Sequence, residues 1–231
     1  MAPAKQPDGP HPESDSRRSS PAPVHRIALA LKVGYSAFLA VLVPVYWVNY
    51  GPTNFLYFCD AALLVTLLAL WTESAYLTSM QALAITLPQS VWVIDFLSYA
   101  IFRRHVFDLT GYMFDGERSL FLRGLSFFHF WLPFLLLWLV RRLGYDRRAF
   151  VGQAIFGTAV LVASFVLAPL PIDPLVGNVN KIHGPSETTP QTFMDPHLWL
   201  LLVIVVTVLA INLPTHALLS WWTSRRRPAR R

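Results

Sequence analysis

The chain has 231 residues, 54% of them hydrophobic and only 14% charged, with a mean hydropathy of +0.44. Soluble domains are about a quarter charged, so this composition excludes an ordinary soluble domain. It points to an integral membrane protein, all-α because the apolar runs are long and do not alternate. The net charge of +6 flanks apolar runs and follows no nucleic-acid module pattern, so no nucleic-acid partner is expected. The single cysteine excludes an intramolecular disulfide and a multi-thiolate metal site.

Residues 1–25 are rich in Pro, Ser and charge, have no apolar period, and are expected to be a disordered cytoplasmic segment. A six-span transmembrane domain is expected over 26–222, followed by a basic cytoplasmic tail, 223–231. Span 1 is placed at Ile27 to Trp47, with Lys32 near its start, where it can snorkel to the interface. Tyr46, Trp47 and Tyr50 form an aromatic belt at its far end, and Gly51-Pro52 turns the chain. Span 2 is placed at Asn54 to Thr72 and carries Cys59 and Asp60 side by side. Span 3, Leu77 to Ile101, holds Pro88, expected to kink it, and Asp95 late in its length. Residues 102–118 read as a polar, aromatic connection with room for an interfacial helix.

Span 4, Ser119 to Val140, contains Arg123, Ser126, His129 and Pro133, and the basic loop Arg141 to Arg148 follows. Span 5 is Phe150 to Ala168, residues 169–196 form a Pro-rich loop, and span 6, His197 to Leu219, holds Asn212, Pro214 and His216. Six spans put both termini on one side. That side would carry Lys5, Arg17, Arg18, Arg26, the four arginines of the 141–148 loop and the five of the tail. The other side has only Arg103, Arg104, Arg118 and Lys181, so the positive-inside rule predicts N-in, C-in in the cell membrane.

An ionised carboxylate in hydrocarbon costs several kcal/mol and needs a partner or a watered cavity. At ~1.5 Å per residue, Asp60 lies roughly 9 Å below the outer end of span 2, Arg123 roughly 6 Å into span 4 and His129 roughly 15 Å. Asp95 comes to a similar outer depth. The structural reading makes Asp60 and Arg123 a buried ion pair, Cys59 an apolar filler, His129 a packing residue and Asp95 a solvated one. The chemical reading is acyl transfer or hydrolysis on a lipid. In it Cys59 is the nucleophile, His129 takes its proton, and Asp60 or Asp95 orients the imidazole. Arg123 would then hold a head group, with Asn54, Ser126, Asn178 and Asn180 as further substrate contacts.

A third reading is a proton-coupled carrier with Asp60, Asp95 and His129 as relay. It needs polar groups continuing to the inner face, and the inner half reads as poor in them. No cofactor and no metal site is expected: His183 and His197 flank the long loop without compact ligand spacing. Membrane lipids are the expected partners. Oligomeric state and substrate are not readable from the chain.

The stretches FLYFCDAALLVTLLALWTES, WVIDFL and SFFHFWLPFLLL, followed by Asn178-Val179-Asn180 and Gly184-Pro185, together resemble the conserved blocks of the YwaF-like integral membrane proteins. The similarity covers about Asn54 to Leu219, in the same order. That family includes a eukaryotic phospholipid acyltransferase in which a Cys and a His are assigned to the chemistry, so the resemblance implies those roles for Cys59 and His129. It is also distantly similar to the androgen-induced intramembrane threonine hydrolases. Their threonine falls at Tyr57 here, so a threonine mechanism does not carry over.

Overall fold

The computed structural model describes residues 27–116, 118–168, 170–173 and 176–225, and every statement of absence below concerns these residues. The expected disordered segment 1–25 and the last residues of the basic tail lie outside them. The fold is all-helical, with no strand: α1 (Leu29–Tyr50), α2 (Phe58–Thr72), α3 (Ala75–Phe102), α4 (Leu120–Ser126), α5 (Phe128–Leu143), α6 (Ala149–Leu167), α7 (Pro196–Val206) and α8 (Leu213–Ser224). A π-helical turn, Thr207–Asn212, joins α7 to α8, so Pro196–Ser224 is one continuous rod. α4 and α5 likewise form one span, 120–143, with a break at Phe127.

Five helical runs are long and apolar enough to cross a membrane, which makes this a multi-pass membrane protein. α2 is the exception to the expected six. The reading of a helix from Asn54 is corrected: residues Pro52–Leu56 form a 3-10 turn, and the α-helix starts only at Phe58. Its 15 residues reach ~22 Å, short of the ~30 Å hydrocarbon thickness. Pro52 and the left-handed Gly51 (φ 75°) at the end of α1 explain the delayed start. Within α3, the helix runs through Pro88 without interruption. The 102–118 connection contains only a single 3-10 turn, Gly111–Met113.

α3 is the hub and touches α2, α5, α6, α8 and the π turn. Its first half buries several small residues, Thr78, Ser79, Ala82, Ala84 and Thr86, and such residues let neighbouring backbones come close. Leu63, Leu70, Leu83, Leu132, Leu136 and Leu139 fill the space between the helices. The outside is the apolar surface: Val48 is 83% exposed and Leu120 77%, and Leu198, Leu201 and Val205 line an α7 that buries no residue at all. Thr66, Gln81, Gln89, Gln153 and Asn212 point inward. This inversion of the soluble pattern follows from a lipid surrounding, which solvates leucine as well as a protein core does.

Lys32 does not snorkel. It is 5% exposed and its Nζ donates to Glu73 Oε1 at 2.8 Å, an ion pair that ties the start of α1 to the end of α2. Glu73 also accepts from the Ile27 N–H, which shares the charge with a backbone donor.

Candidate functional site

The first turn of α2 holds the pair singled out by the sequence. Cys59 and Asp60 are its second and third residues, and Asp60 stands where the helix dipole favours a carboxylate. The Cys59 S–H donates to Asp60 Oδ2 at 3.4 Å. Asp60 is 4% exposed, and its other oxygen, Oδ1, has no partner. Tyr46, Tyr57 and Tyr112 bring their hydroxyls within electrostatic reach of this carboxyl.

The roof of the site is the long loop before α7, folded onto the mouth of α2. Asn180 Oδ1 accepts from the Phe58 N–H at 3.1 Å, satisfying one of the open donors of the helix start, and its Nδ2 donates to the Leu56 carbonyl at 2.7 Å. Tyr57 Oη donates to the Val176 carbonyl at 2.8 Å. Asn178 knits the loop itself, donating to Gly184 O and Ser186 O and accepting from the His183 N–H. Gly184 sits at φ 140°, and a Cβ there would lie 2.7 Å from the Gln191 nitrogen, so only glycine fits. Asn178 and Asn180 thus spend their amides on the loop and on the α2 start.

The far wall is the α4–α5 span. Tyr46 Oη and Ser126 Oγ share a hydrogen bond of 2.7 Å. His129 Nδ1 lies 2.7 Å from the Ser126 carbonyl. A carbonyl only accepts, so Nδ1 carries the proton and Nε2 presents its lone pair. The imidazole is clamped between Phe128, with ring centroids 4.0 Å apart, and Trp92, at 5.3 Å. Trp92 Nε1 in turn donates to Tyr112 Oη at 3.2 Å. A backbone carbonyl therefore does the orienting that the sequence reading gave to an aspartate.

Asp95 serves a different part of the molecule. It is fully buried and accepts from the N–H groups of Val106, Phe107, Leu109 and Thr110, from Thr110 Oγ1, and from His105 Nδ1 at 3.0 Å. It pins the 105–110 connection back onto α3 and has no bond to His129, Cys59 or Asp60. The suggested Asp60–Arg123 ion pair is not formed either. Arg123 Nη1 donates to the Met113 carbonyl at 3.3 Å, while its buried Nε has no partner. Nor is there a hydrogen bond between Cys59 and His129.

Besides Asp60 Oδ1 and Arg123 Nε, Asn54 Nδ2 is a third buried atom at this end of the bundle without a partner. Each such atom costs about 1–3 kcal/mol when left unmade, which suits groups reserved for a ligand. No group of three His, Cys, Asp or Glu side chains comes together in a way that could hold a metal ion.

The sequence reading passed over a second polar layer, nearer the Arg141–Arg148 end. Gln81 of α3 and Gln153 of α6 are at most 1% exposed, and so is Asn212 of the π turn. Gln153 and Asn212 have neither amide atom paired, and Gln81 Nε2 and Thr78 Oγ1 are also unpaired. They share a level. The Phe150 and His216 rings meet at 5.1 Å, and Gln153 and Asn212 each lie one helical turn further from the basic end. Gly152, next to Gln153, abuts Tyr76 and Met80, next to Gln81. The expectation that this half is poor in polar groups is therefore corrected. A scan for charges misses neutral amides, but Thr78, Gln81 and Gln89 at helical spacing in an apolar span were a usable signal.

Comparison with known proteins adds no relative: no protein-family model, no curated protein and no solved structure matches this chain.

Proposed function

We propose that the chain is a lipid-modifying membrane enzyme, with its site at the first turn of α2 in the outer half of the bilayer. In this reading α2 and its 3-10 turn complete a sixth crossing, and both termini face the cytoplasm. The observation that carries it is the Cys59–Asp60 contact at 3.4 Å, with Asp60 Oδ1 unpartnered and two further buried donors, Asn54 Nδ2 and Arg123 Nε, also unpartnered. The thiol attacks an acyl ester carbonyl as its proton passes to Asp60. Asn54 and Arg123 donate to the developing oxyanion or the head group. The released glycerol oxygen takes the proton back, leaving an acyl thioester on Cys59. An acceptor hydroxyl or water, relieved of its proton by His129 Nε2, then frees the acyl group. The resemblance to the YwaF-like proteins supports the same two residues.

The test uses purified protein, checked for monodispersity, with labelled phospholipid and a lysolipid acceptor. Wild type should turn lipid over, while Cys59→Ala and His129→Gln should fold and lose activity by at least about a hundredfold. An active preparation in which Cys59→Ala equals wild type ends the thiol mechanism. Reporter fusions within 175–190 should report the outside, and a cytoplasmic report there would overturn the six crossings.

A carrier is the second reading, favoured by one specific observation: the Gln81–Gln153–Asn212 layer continues buried polarity toward the basic end. A π turn in a span is a frequent mark of such sites. Solute flux in proteoliposomes that falls with Asn212→Leu, in a protein that turns over no lipid, would select it.

A further inference from the structure

A cavity of about 700 Å³ opens at the Arg141–Arg148 end, between the end of α5, the 144–147 loop and the last turns of α8. Arg141, Arg147, Ser220, Trp222, Thr223 and Ser224 line it. Its frame is fixed from both sides: Tyr145 Oη and His216 Nδ1 are hydrogen-bonded at 2.7 Å, and the Asp146 N–H donates to Ser79 Oγ at 3.0 Å. We infer that this cavity binds the phosphodiester head group of an anionic lipid from the leaflet at that end.

Three observations converge on an anion. Arg141 and Arg147 make no hydrogen bond or ion pair with any described residue, so their guanidinium donors are unspent. The carboxylate in the lining, Asp146, is already occupied by Arg148 at 2.7 Å, an arrangement that also holds its carboxyl below the usual range. Ser220 Oγ is buried without a partner, whereas Thr223 and Ser224 have given their hydrogens to the Leu219 and Trp221 carbonyls. Ser220 is therefore the hydroxyl with a proton to offer. The carbonyl ends of α5 and α8 leave partial negative charge here, so the arginines supply the positive charge that an anion needs.

The level points to a lipid rather than a free ion. Arg142 stands over the Trp138 ring at 5.6 Å and Arg225 over Trp221 at 4.1 Å, and Trp222 lines the cavity itself. Tryptophans with arginines at helix ends mark the head-group layer, and basic pockets between helices at that depth take anionic head groups. This site lies at the opposite end of the bundle from Cys59 and does not depend on the acyl chemistry.

The experiment is native mass spectrometry of the full chain in neutral detergent, titrated with phosphatidylglycerol, phosphatidylcholine and, separately, inorganic phosphate. One phosphatidylglycerol should be retained in preference to phosphatidylcholine. Arg141→Gln with Arg147→Gln should weaken it by at least about tenfold, one charge-assisted contact's worth. Ser220→Ala should weaken it by a smaller factor, and Arg103→Gln at the other end should leave it unchanged. The two arginines are exposed, so the double variant should keep its melting temperature without lipid. Equal retention of both lipids, or a double variant that binds like wild type, overturns the inference. Displacement of phosphatidylglycerol by inorganic phosphate at equal concentration would make it a free-anion site and overturn the lipid assignment.

Discussion

The polar groups at the Cys59 end of the bundle and the amide layer are both buried, yet they are held in opposite ways. At one end the 105–110 connection folds back over α3 and brings four N–H groups to Asp95, while the long loop lays Asn180 over the start of α2 and Asp60 keeps only the Cys59 thiol as partner. Around Gln81, Gln153 and Asn212 only helices meet, and helices keep their backbone donors for themselves. A charge can therefore be tied down at a helix end by loop backbone, whereas mid-helix polarity must be neutral and wait for water or a solute. The difference teaches where to look for each kind of site in a membrane bundle.

The largest break should come at Asp95. Asp95→Ala leaves its loop donors without an acceptor and should destabilise the protein by about 3–5 kcal/mol, read as a drop in detergent melting temperature. Asp95→Asn should fall between, because an amide keeps one accepting oxygen. A melting temperature unchanged in Asp95→Ala would mean that the 105–110 connection is not pinned there.

Gly184→Ala comes next. Its φ of 140° and the 2.7 Å approach of Gln191 N force the loop to shift, at a cost of roughly 1–3 kcal/mol. Because Asn180 ties the same loop to α2, faster labelling of Cys59 by a thiol reagent should accompany the loss. Labelling at the wild-type rate would separate the roof from the site.

The smallest and most informative change is Gln153→Leu. In a dry layer, removing an unpaired amide should stabilise by about 1 kcal/mol. In a layer that holds water or a solute, the same change removes a ligand contact and should lower stability or flux. Melting temperature and proteoliposome flux, measured together on this variant, decide which of the two descriptions holds for the amide layer.

Sequence alone determined that this is a multi-pass helical membrane protein, and it located the five long apolar helices to within a few residues. Apolar length is a property of each segment by itself, so Leu29–Tyr50 and Ala149–Leu167 could be read without any partner. It also picked out Cys59-Asp60, because adjacent polar residues in an apolar run are visible in one dimension. Tertiary structure decided who meets whom. Asp95 and Asp60 look alike in sequence, and only the fold gives one the 105–110 loop and the other a thiol. Lys32 finds Glu73 across 41 positions, and Asn180 finds Phe58 across 122. Depth along a helix follows from counting, but the direction a side chain faces depends on how helices rotate against one another. That rotation is fixed by packing over the whole bundle, which no single stretch of chain encodes.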